Sequence, residues 1–102
     1  MSLQETLQKD IEESKRWIDT AEGVYKRDLI KRIELINWVL EKMKNPDTYI
    51  CAVIESKMND IIDQINEKKS IIEQDPLDSE LRILDWILYQ VCSNEINKFE
   101  RL

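Results

Sequence analysis

The stretch Leu29-Ile30-Lys31-Arg32-Ile33-Glu34-Leu35-Ile36-Asn37-Trp38-Val39-Leu40-Glu41-Lys42-Met43 decides the fold, because it occurs twice. An altered copy runs from Leu77 to Val91, around Leu81-Arg82-Ile83-Leu84-Asp85-Trp86-Ile87-Leu88. With Trp38 set over Trp86, Leu29 meets Leu77, Ile33 meets Leu81 and Leu35 meets Ile83. Ile36 then meets Leu84, Val39 meets Ile87, Leu40 meets Leu88 and Met43 meets Val91. Apolar residues recurring every three or four positions mark one face of an α-helix. Each copy reads as the second helix of a helical hairpin.

Outward from that stretch, Leu3, Leu7, Ile11, Ser14, Ile18 and Ala21 fall on one face of a first helix, expected over about 3–22. Gly23 suits the left-handed residue that ends a helix, with Val24 folding back onto Ile18. Asp28 is the expected N-cap of a second helix that stops at Asn45-Pro46, because proline disfavours helix in the residue before it. Its inward stripe is Leu29, Ile33, Ile36, Leu40 and Met43, with Val39 at the edge.

A third helix opening at Asp47 or Thr48 carries Cys51, Ile54, Met58, Ile61, Ile62, Ile65 and Ile72 inward and ends near Gln74. Asp75-Pro76 is the expected break. A fourth helix from about Asp78 or Ser79 to Arg101 carries Leu81, Leu84, Leu88, Val91, Phe99 and Leu102, with Leu77 just before it. Leu3, Leu7, Ile11 and Ile18 also match Ile50, Ile54, Met58 and Ile65, so the hairpins read as a duplication. Four helices with short connections imply antiparallel neighbours, hence an all-α, up-down-up-down four-helix bundle. One domain covers 1–102, with hairpin 1 over about 3–44 and hairpin 2 over about 47–101.

Composition agrees. One glycine and two prolines leave little material for β-turns. An apolar fraction of 42% is too high for a disordered chain. A chain of 102 residues buries roughly two-thirds of its unfolded surface, enough for one modest core.

The net charge of −6 sits in one half. Residues 1–44 carry nine basic and nine acidic side chains, residues 45–102 six and twelve. An acidic protein repels a phosphate backbone, so nucleic acid is not an expected partner. No apolar run approaches the ~20 residues of a membrane span. Met1-Ser2-Leu3-Gln4-Glu5 lacks the basic start and apolar core of a signal peptide, and a cytoplasmic location is expected.

The chain contains no histidine, which removes most acid–base and nucleophilic schemes at neutral pH and the usual di-iron bundle site. The pairs Asp60 with Asp63 and Glu12 with Glu13 lie off the inward stripes, so neither an enzyme, a metal site nor a cofactor is expected. With a turn centred near Asp75-Pro76, Cys51 and Cys92 fall eight residues out of register, about 12 Å along the axis. A disulfide needs Cα atoms within about 7 Å, so both are expected as separate small core residues.

Two contact surfaces compete. Trp38 lies about 160° round the helical wheel from Ile36, and Trp86 lies likewise from Leu84. With Leu35 and Ile83 beside them, these tryptophans suggest a patch for a protein partner or a second copy of the chain. The expected function is therefore a non-enzymatic helical interaction or oligomerisation module.

The alternative is a nucleic-acid or phosphate-ligand module using the basic cluster over 15–32, with Lys26, Arg27, Lys31 and Arg32 as phosphate contacts. Interleaved Asp19, Glu22, Asp28 and Glu34 dilute its field. An acidic inhibitor or immunity-type protein, blocking a basic target with residues 45–102, is the third reading.

Overall fold

A computed structural model describes residues 2–68 and 70–100, with side chains through residue 92. It contains α1 (Leu3–Ile18), α2 (Gly23–Met43), α3 (Ile50–Glu67) and α4 (Ile71–Glu100), and no strand among the described residues. Helices α1 and α2 pack as one antiparallel hairpin and α3 and α4 as another. The all-α bundle of two hairpins expected from the repeat is the fold observed.

The hairpins join through their second helices, which lie side by side and parallel. Arg27 of α2 bonds Asp75 and Ser79 of α4, and Arg32, further along α2, reaches Trp86 further along α4. Three matched pairs of the repeat fill this seam: Leu35 and Ile83, Ile36 and Leu84, Val39 and Ile87 are all buried. Leu7 and Ile11 of α1 and Ile54 and Ile61 of α3 close the core from outside. Complete burial of each large aliphatic side chain contributes about 1.5–3 kcal/mol.

Leu35 and Ile83, expected to widen an outward patch, are 4% and 8% exposed. The second apolar face of α2 and α4 is used up within this chain. Ile62 and Ile72, expected inward, are exposed instead.

Local chemistry accounts for the helix ends. Ser2 caps α1, its Oγ accepting from the Glu5 amide at 3.2 Å. At the other end Thr20 donates its hydroxyl to the Trp17 carbonyl, and Ala21 tucks inward. Gly23 is left-handed (φ 61°) as expected, but it opens α2. Val24 is exposed and does not fold back as expected. Asp28 lies inside α2, paired with Arg27, and is not its N-cap.

Asn45-Pro46 does end a helical region. Asn45 Oδ1 accepts from the Asp47 amide, and the Asn45 carbonyl accepts from Thr48. The next helix starts at Ile50, slightly later than expected.

The second turn lies elsewhere than expected. Helix α3 stops at Glu67, and Ser70 starts the next helix by accepting the Ile72 amide on Oγ. Gln74 then reaches back, its side-chain amide donating to the carbonyls of Ile65 and Lys68. The Ile65 carbonyl also accepts from the Lys68 amide, so Gln74 adds to a helix end that the backbone already closes.

Pro76 is therefore the sixth residue of α4. Lacking an amide hydrogen, it cannot donate to the carbonyl of Ile72 one turn earlier. Phe99, expected inward, lies outside the described side chains, and Leu102 outside the described residues.

Placing the reversal between Glu67 and Ile71 instead of at Asp75-Pro76 cuts the axial offset of the two cysteines, expected as separate core residues, from eight residues to about five. Cys51 and Cys92 lie 6.1 Å apart at Cα and form a disulfide between α3 and α4.

Candidate interaction surface

Trp38 and Trp86 each lie half-buried against the core, with a cation over the ring. On one side Lys57 of α3 lies 5.1 Å from the ring centre of Trp38. The two form part of a groove of about 470 Å³ shared with Lys42, Ala52, Val53, Ser56 and Asp60. Trp86 is covered more closely, with the Arg32 guanidinium 4.2 Å above it.

That guanidinium belongs to a polar network linking three helices. Arg32 donates from Nε and Nη2 to both carboxylate oxygens of Asp10, at 2.6 and 2.8 Å. Ser14, itself buried, donates to the same carboxylate. Two parallel bonds between a planar guanidinium and a carboxylate fix orientation as well as charge. The Asp10 and Arg32 side chains are only 18% and 27% exposed, so water screens them weakly. Arg32 thus ties α1 to α2 while covering Trp86 of α4.

Two further cations of the basic cluster, Arg27 and Lys31, are also paired. Arg27 pairs with Asp28 and Asp75, and hydrogen bonds to these two carboxylates, Asp28 first, hold its guanidinium above its ordinary pKa. Lys31 pairs with Glu34. Of the four cations expected at a phosphate, Lys26 alone has no carboxylate partner among the described residues.

The least covered apolar surface lies at the end of the bundle where α1 joins α2 and α3 joins α4. Ile71 and Ile72 are 84% and 85% exposed, and Val24 and Tyr25 are more than half exposed. The Arg27–Asp75 pair sets their relation: Val24 lies one turn before Arg27, and Ile71 and Ile72 one turn before Asp75. Both pairs therefore sit at the same level on adjoining helices. Tyr25 borders a shallow groove of about 260 Å³ with Leu29, Ser79, Arg82 and Ile83.

Sequence reasoning missed this cluster because it placed Ile72 inside α3. The Ser70-x-x-Glu73 spacing was the available signal: serine followed three positions later by glutamate marks a helix start.

Among the described residues, no helix is long and apolar enough to cross a membrane. No family model, curated protein or solved structure matches this chain.

Proposed function

We propose that this chain is a non-enzymatic helical interaction module that docks a protein on the turn end of the bundle, with Val24, Tyr25, Ile71 and Ile72 as its contacts. The observation that carries the reading is the exposure of Ile71 and Ile72 together, on a core already filled without them. Adjoining exposed aliphatic and aromatic side chains mark partner surfaces in small domains.

Trp38 and Trp86 are second-rank contacts, because each presents only the part of its ring left open by the core and its cation. Leu35 and Ile83 have no part in docking. The phosphate reading is weaker than its sequence suggests, since three of its four cations already hold carboxylates. The cytoplasmic expectation fits poorly with Cys51–Cys92, because a reducing cytosol keeps such pairs open.

Sedimentation velocity over a range of concentrations tests the reading, comparing the natural chain with Ile71→Ser/Ile72→Ser. If the chain self-associates, the double variant should dissociate at least ~30-fold more readily, about 2 kcal/mol for one lost anchor, with its helical spectrum unchanged. Association that survives this change but disappears in Trp38→Ser/Trp86→Ser would return the surface to the tryptophans. A chain that stays monomeric throughout would remove self-association from this surface.

A further inference from the structure

Cys51 and Cys92 form one bond between two unlike surroundings. Cys51, in the first turn of α3, is 5% exposed and belongs to the buried core with Ile54. Cys92 sits at the edge of that core and is only partly covered. An incoming thiolate must reach a sulfur to exchange with it, and Cys92 is the more open of the two residues.

We propose that Cys92 is the thiol-exchange site of this chain, and that Cys51 is the leaving sulfur. The proposal is independent of the docking surface. A small external thiolate, of the glutathione class, bonds to Cys92 Sγ while the Cys92–Cys51 bond breaks. The electron pair leaves on Cys51 Sγ, which takes a proton from water. A second external thiol then attacks the outer sulfur of the mixed disulfide and frees Cys92. Two external thiols become one disulfide, and the two electrons they lose reduce the protein's cystine.

The buried position makes Cys51 a poor leaving group, since apolar surroundings disfavour the thiolate. Opening is therefore slow in the folded chain. The bond acts as a latch on α3, whose next residues, Ala52 and Val53, line the Trp38 groove. Breaking it frees the first turn of α3 from α4 and loosens that wall.

The test uses the intact oxidised chain. Reduced glutathione is added, the reaction is stopped with acid, free thiols are alkylated, and the peptides are weighed. Glutathione should be found on Cys92 and the alkyl group on Cys51, with a preference of at least about tenfold. Glutathione on Cys51, or shared evenly, overturns the proposal. So does an air-oxidised chain that weighs as two free thiols.

No substitution is needed for that measurement, so it decides the matter even if cysteine variants fold poorly. Where Cys51→Ala and Cys92→Ala retain their helical spectra, the thiol of the first should react with an aromatic disulfide reagent about tenfold faster than that of the second. Amide exchange at Ala52–Ser56 should quicken in the reduced natural chain. Unchanged exchange there means that the bond is no latch.

Discussion

In hairpin 1, Asp10 of α1 grips Arg32 of α2; at the matching positions of hairpin 2 stand Lys57 and Glu80, the charges reversed. Lys57 turns to the Trp38 ring, and the fastening between α3 and α4 is the disulfide. The positions that match Cys51 and Cys92 in hairpin 1 are Gln4 and Lys44, which can form no such bond. The apolar register is shared between the halves, while the polar and covalent fastenings have diverged. Periodic burial sets the shape of a hairpin, and how its helices are pinned is a separate choice.

The largest expected effect breaks the covalent side of that comparison. Replacing both cysteines by alanine removes a cross-link spanning 41 residues, whose loop-closure contribution is about 4 kcal/mol. Urea unfolding should show a loss of that order, with amide protection falling in hairpin 2 before hairpin 1. An equal loss of protection in both hairpins would show that the halves do not open separately.

Next comes the ionic side. Arg32→Ala leaves the partly buried Asp10 carboxylate with Ser14 as its remaining partner and uncovers Trp86, at an expected cost of about 2 kcal/mol. The same unfolding measurement should show most of that loss recovered when Asp10→Asn is added, because the stranded charge is then gone. No recovery would place the cost in the uncovered tryptophan.

The smallest effect sharpens the contrast between the two cations. Lys57→Ala removes a looser cation–ring contact and should cost only about 0.5 kcal/mol. It should also alter the fluorescence of Trp38 in a chain whose other tryptophans are replaced by phenylalanine. A loss as large as that of Arg32→Ala would make the two rings equivalent and remove the asymmetry argued here.

The sequence was readable where a decision was local. The stripes of α1 and α2 follow from residue spacing, and Asn45-Pro46 stops a helix because both its residues favour a turn. Asp75-Pro76 carries a similar signature yet lies inside α4, whose start is set upstream by Ser70. A stop expected too late widened the cysteine offset and carried Ile72 into α3. The serine and glutamate that mark the true start, Ser70 and Glu73, were equally local.

The sequence alone determined that the chain is helical, that it forms two related hairpins, and that α2 and α4 each carry a wide apolar face. Spacing along one helix reports the width of such a face, since it records only which residues avoid water. It does not report what covers that face. Tertiary packing decided that α2 and α4 cover each other, burying Leu35 and Ile83 and leaving Val24, Tyr25, Ile71 and Ile72 outside. It also decided that Arg32 should hold Asp10 and that Cys51 should meet Cys92, because both contacts depend on how separate helices are aligned in space.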